Sequence, residues 1–172
     1  MIFTAYANGL FDFGDRATRC ALGRGGVVGA GAKREGDGCS PAGVWPMRRL
    51  LYRPDRGPVA ATRLPSGAIG PDDGWCDDPA DGAYNQQVSL PHPASAEALW
   101  REDGLYDLIV VLGHNDTPVV PGAGSAIFLH VAGPGYAPTQ GCVALARADL
   151  EVLLARAGPD DALAISLDRW ES

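Results

Sequence analysis

Positive charge is scarce in this chain, and one kind of it nearly missing. The 172 residues contain one lysine, Lys33, in a total of 14 basic side chains against 21 acidic ones, for a net charge of −7. That balance excludes the broad basic surface that nucleic acid or an anionic membrane would require. Long apolar runs are missing too: nothing approaches the roughly 18 consecutive apolar residues of a membrane span. The start, MIFTAYANGLFDFGDR, has its first basic residue at Arg16, and Asn8, Gly9 and Asp12 interrupt the apolar pattern. A secretory leader needs a basic start followed by an apolar stretch of about 7–15 residues. The expectation is therefore a cytoplasmic chain, with a periplasmic one as the alternative should a leader have been removed. The four cysteines, Cys20, Cys39, Cys76 and Cys142, are never closer than 19 residues apart. No CxxC pair for zinc or dithiol redox work exists, and free thiols are expected. No metal or cofactor is expected.

What is present is glycine and proline, 23 and 14, spread along the chain rather than gathered in a tail, with a hydrophobic fraction of 46%. That pattern reads as many turns between short apolar strands. The length suits one domain over residues 1–172, able to bury roughly 70% of the surface its unfolded chain exposes.

The strongest strand signal is LYDLIVVLGHN (105–115), closed by Gly113 and Asn115. SAIFLHV (125–131) and ALAISL (162–167) read as further strands, as does the segment 47–52. Two short strands are predicted around the glycines of RCALGRGGVV (19–28), and a hairpin about Pro65. PDDGWCDDPADGAYNQ (71–86), with five aspartates among residues 72–81, reads as a long polar loop. SAEALWREDG (95–104) reads as a short helix, capped by Ser95 and carrying Glu97 and Arg101 at i,i+4. RADLEVLLARAG (147–158) is the clearest helix: Leu150, Leu153, Leu154 and Ala157 form one stripe, and Gly158-Pro159 follows. Many short strands, two or three short helices and no βαβ rhythm predict a mostly β domain, a sandwich or curled mixed sheet.

The segment IFLHVAGPGYAPTQGCVAL (127–145) carries chemistry. His130 ends one apolar run, and Cys142 starts the next 12 residues later. A thiol becomes an effective nucleophile as thiolate, which a neighbouring imidazole or a set of backbone N–H groups can generate. Gly141 lets the backbone approach a substrate closely. In outline this is a Cys/His acyl-transfer pair; on spacing alone, a buried thiol beside a satisfied histidine stays open. Papain-like enzymes are excluded by order, because there the cysteine precedes the histidine.

The same segment resembles the L,D-transpeptidase (YkuD-like) catalytic domain, whose signature is a histidine, a variable loop, then Ser/Thr-His-Gly-Cys and a hydrophobic residue. The matching positions are His130, Thr139, Gly141, Cys142 and Val143. Ser40-Pro41-Ala42-Gly43 resembles a further motif of that family, and the resemblance runs over about residues 19–167. Two positions depart from it. Gln140 replaces the second histidine, and Ala144 stands where the family carries arginine, a natural carboxylate anchor. The resemblance implies a peptidase or acyltransferase acting on peptidoglycan stem peptides or muropeptides. Cys142 would be the nucleophile and His130 the base, with the Val131 carbonyl orienting the imidazole and the Gly141 and Cys142 N–H groups holding the oxyanion. Transfer to water gives an L,D-carboxypeptidase that removes terminal D-alanine, the expectation for a cytoplasmic chain; transfer to an amine gives 3–3 cross-links. A peptidoglycan-binding module without catalysis, or a redox sensor built on Cys142, are the alternatives of another class.

Around this pair, Thr139, Gln140 and His114 are expected to contact substrate, and Asp77 or Asp78 to read a diamino acid's ammonium group. A merely solvated acidic loop is the other reading of those aspartates. Lys33, Arg34 and Arg48 are candidates for the carboxylate anchor. His92, between two prolines, reads as loop.

Overall fold

A computed structural model describes residues 1–170. It contains thirteen strands: β1 (Ile2–Tyr6), β2 (Leu10–Asp12), β3 (Ala17–Arg19), β4 (Val27–Gly29), β5 (Ser40–Tyr52), β6 (Ser66–Ala68), β7 (Asp73–Cys76), β8 (Gln87–Ser89), β9 (Ala96–Ala98), β10 (Leu108–Leu112), β11 (Phe128–Val131), β12 (Val143–Leu145) and β13 (Ala162–Ser166). One α-helix, α1 (Arg147–Arg156), and two short 3-10 turns complete the secondary structure. The mostly β, curled mixed sheet expected from the sequence is what forms. Its main path runs β12-β11-β10-β5-β13-β1-β2-β3, with β4 and β6 added along β5, and β8-β7-β9 makes a second, smaller sheet.

β5 is the spine. Its first half pairs with β13, where Ala162 faces Pro46, and its second half pairs with β10, where Ile109 faces Leu51. Pro46 has no N–H to donate to a ladder. The partner changes there, and the β10 register skips from Arg49 to Met47 at a bulge. This bend curls the sheet and brings β10, β11 and β12 together as one wall.

Period-2 alternation then sorts the side chains of that wall. Leu108, Val110, Leu129, Val143 and Leu145 enter one core, where α1 packs Leu150, Leu153 and Leu154 against them. Ile109, Val111, Phe128 and Cys142 enter the other, with Leu51, Trp75, Leu99 and Tyr106. β10 is buried on both faces, which is why its sequence is an unbroken apolar run.

Several local expectations fail. Residues 95–104 hold no helix; Ala96–Ala98 instead pair antiparallel with β7, so burial of Leu99 and pairing of Glu97 with Trp75 override the i,i+4 pattern. The supposed loop 71–86 contains β7, whose Gly74, Trp75 and Cys76 are buried. Segment 59–63 forms no hairpin; β6 pairs parallel with β5. β1 and β2, unread in the sequence, carry Phe3 and Phe11 into the core. Among the described residues no helix is long and apolar enough to cross a membrane.

Candidate active site

β11 and β12 lie parallel, with Leu129 opposite Val143 and His130 opposite Ala144. Cys142 precedes the paired stretch by one residue, so it shares a face with Phe128 and His130. Both Cys142 and His130 line one cavity of about 580 Å³. Its wall also contains Lys33, Glu35, Asp77, Glu97, Arg101 and Tyr106.

The sulfur is held by backbone. The Cys142 thiol donates to the Ala126 carbonyl at 3.2 Å, and the Phe128 N–H donates to the sulfur at 3.4 Å. Ala126 has φ +52°, a costly conformation for a residue with a Cβ. Asn85 fixes it: its Oδ1 accepts from the Ala126 N–H at 3.0 Å and from Trp75 Nε1 at 2.9 Å. Its Nδ2 donates to the carbonyls of His114 and Asn115. All four hydrogen-bonding capacities of this buried amide are therefore used.

His130 Nδ1 lies 2.8 Å from the Val131 carbonyl. A carbonyl only accepts, so Nδ1 carries the proton and Nε2 keeps a free lone pair. The ring meets Tyr106 edge to face at 5.2 Å between centroids. The Tyr106 hydroxyl donates to Glu97 at 2.6 Å, which ties the ring that packs on His130 to a carboxylate in the cavity.

Burial sets the protonation states. It pushes the His130 imidazole down to about 4, opposed by the Val131 carbonyl. It pushes the Cys142 thiol up to about 12; Glu97 acts in the same direction, while the Phe128 N–H and Lys33 oppose it. At rest the cavity is lined by a neutral thiol and a neutral imidazole. Burial also raises Glu97 above the usual carboxylate range, against the Tyr106 hydrogen bond and Arg101.

Gly141 has φ +135°, and a Cβ there would stand 2.8 Å from the Cys39 carbonyl oxygen. Only glycine fits this approach. Its N–H donates to Thr139 Oγ1 at 3.1 Å, and that hydroxyl donates to the Cys142 carbonyl at 2.6 Å. Thr139 therefore staples the turn that presents Cys142, with its hydroxyl spent on backbone. Ser40 reaches the same carbonyl at 3.5 Å and accepts the Gly23 N–H at 2.9 Å, so the start of β5 braces the turn from behind.

Of the residues singled out in the sequence, Cys142, His130, Thr139, Gln140 and Asp77 meet at the cavity. Asp77 Oδ1 is buried there without a hydrogen-bond partner. Val131 contributes its carbonyl from the edge. His114 does not face the cavity: it is buried beside Trp45, and Nε2 donates to the Ala123 carbonyl at 3.0 Å. Asp78 is also outside, its carboxylate accepting the Ala80 N–H at 2.9 Å in a local turn. Among the basic candidates Lys33 lines the cavity, its Nζ donating to Asp37 Oδ1 at 2.5 Å and to the Arg34 carbonyl at 2.7 Å, while Arg48 pairs with Asp116 and Arg34 bonds backbone carbonyls elsewhere.

Sequence reasoning missed Tyr106, Asn85 and the Ala126 carbonyl, and misread Glu97 and Arg101 as a helical pair. Tyr106 had a usable signal, an aromatic two residues ahead of the strongest strand. Ala126 had none, because its role is a backbone atom in an unusual conformation.

The profile of the L,D-transpeptidase catalytic domain (YkuD) matches residues 3–165. No protein with a curated description matches the chain.

Proposed function

The chain belongs to the L,D-transpeptidase catalytic-domain family, which acts on peptidoglycan stem peptides, and we propose that it is an L,D-carboxypeptidase using Cys142 as nucleophile and His130 as base. The observation that carries this reading is the shared cavity: a thiol, a correctly tautomeric imidazole, two cations and three carboxylates around one peptide-sized space.

His130 Nε2 takes the Cys142 proton as the sulfur attacks the carbonyl carbon on the L-centre of the stem peptide's third residue. The Val131 carbonyl steadies the imidazolium through Nδ1–H. The Cys142 N–H receives the oxyanion, joined by the Gly141 N–H once it exchanges Thr139 for the developing charge. Collapse breaks the C–N bond, His130 gives its proton to the D-alanine amine, and a thioester remains on Cys142. Water, deprotonated by His130, then releases the shortened peptide and restores the thiol. Asp77 and Glu97 receive the ammonium of a diamino acid; Lys33 and Arg101, exchanging their partners Asp37 and Asp103, attract the terminal carboxylate in place of the arginine missing at Ala144.

One feature supports water as acceptor. Cys142 and His130 line one cavity of about 580 Å³, and a second cavity, lined by Arg48, Arg49, Asp73 and Trp75, includes neither of them. The high thiol pKa argues against a redox sensor, which needs thiolate character.

Incubation with a disaccharide tetrapeptide, followed by chromatography and mass spectrometry, tests the reading. Tripeptide and free D-alanine are expected. Dimers joined through two diamino acids would transfer the assignment to cross-linking, and unchanged tetrapeptide would remove both.

A further inference from the structure

Outside this cavity three side chains converge from separate parts of the chain. Cys76 ends β7, Asp81 lies in the following turn, and His92 sits between Pro91 and Pro93 beyond β8. One ligand atom of each lies within 4.8 Å of the other two. Cys76 is fully buried. His92 Nε2 is shut off from solvent and has no hydrogen-bond partner, a costly state for a ring nitrogen unless something binds it.

The spacing fits a metal ion. His92 Nε2 lies 3.5 Å from Asp81 Oδ1. That is too long for a good hydrogen bond. It matches the separation of about 3.4 Å between nitrogen and oxygen atoms that share a tetrahedral zinc at about 2.0–2.2 Å each. Asp81 is oriented by the Ala83 N–H, which donates to it at 2.7 Å, the kind of supporting contact that fixes metal ligands.

We propose that Cys76 Sγ, Asp81 and His92 Nε2 bind one zinc ion, with water in the fourth position. A thiolate in the set selects zinc over magnesium or calcium. Binding exchanges the thiol proton for the metal: the S–H bond breaks, a Zn–S bond forms and a proton leaves to solvent. The site is a clasp. It ties the end of β7 to the turn at 77–84 and to the segment after β8, and none of its ligands lines the catalytic cavity. Asp77 follows Cys76 directly, so occupancy would firm one wall of that cavity. The spacing 76, 81, 92 matches no short metal motif, which is why the sequence did not reveal it.

The full chain, stripped with chelator and re-equilibrated with zinc chloride, should retain one zinc per chain after gel filtration, measured by inductively coupled plasma mass spectrometry. His92→Gln and Cys76→Ser should weaken zinc binding at least about 100-fold, and zinc should raise the Tm of the unsubstituted chain but not of either variant. In a Cys142→Ser background, cobalt(II) should give a thiolate-to-metal charge-transfer band, a readout that does not depend on the folding of the clasp variants. Absence of retained zinc, absence of that band, or zinc retained undiminished by folded His92→Gln would each overturn the site.

Discussion

The Cys142 thiol points at the Ala126 carbonyl, 3.2 Å away, rather than making a hydrogen bond to a basic nitrogen. Cys142 and His130 line one cavity, and burial holds both groups uncharged at rest. In the proposed mechanism, substrate starts the proton transfer by displacing the thiol from Ala126 and bringing the oxyanion donors into use.

A neutral thiol reacts slowly with alkylating agents. The rate of iodoacetamide addition at Cys142, followed on the peptide containing it by mass spectrometry, is expected to rise about tenfold per pH unit from pH 6 to 9, since only thiolate reacts. An imidazolium–thiolate pair would instead give a plateau across that range.

The same burial links His130 to acid stability. Its folded pKa, about 4, lies below the ordinary 6.5, so between these values the unfolded chain binds more protons than the folded one. Stability is therefore full above pH 6.5 and falls as the pH drops toward 4, by about 3 kcal/mol from this group. Urea titrations of His130→Gln over that window should show a shallower slope than the unsubstituted chain. Some slope should persist, because burial lowers His114 as well.

Asn85 acts on the thiol through Ala126. Asn85→Ala leaves the Trp75 Nε1–H, the Ala126 N–H and two carbonyls without their partner. At about 1–3 kcal/mol per unsatisfied group, offset where water enters, a net loss of at least about 2 kcal/mol is expected in denaturant unfolding. Cys142 alkylation should also change, since the carbonyl that orients the thiol is no longer held. A merely structural role would lower stability and leave the alkylation rate of the folded form unmoved.

Gly141→Ala places a Cβ against the Cys39 carbonyl at a backbone angle alanine avoids. A stability loss of more than about 1 kcal/mol is expected, with kcat falling more than KM rises, because the turn that presents Cys142 must shift.

The parts of this architecture written in one continuous stretch were legible in the sequence. The apolar run 108–112, the stripe on α1, and the His130 to Cys142 segment each declare themselves within a few residues. Long-range competition hid the rest. Glu97 and Arg101 have helical spacing, yet pairing with β7 and burial of Leu99 decide for a strand. His114 reads as a site residue because it ends the strongest strand, but that strand end turns toward Trp45 instead of the cavity. Asp77 and Asp78 are adjacent in sequence but separate in place: Asp77 lines the cavity, while Asp78 accepts the Ala80 N–H in a local turn.

The most direct measurement is the mass of the intact protein after brief exposure to a carbapenem, or to disaccharide tetrapeptide followed by an acid quench. The expected result is a covalent adduct located on Cys142, absent from Cys142→Ala and formed far more slowly in His130→Gln. An adduct that persists in Cys142→Ala, or tetrapeptide turnover by that variant at the unsubstituted rate, would contradict it.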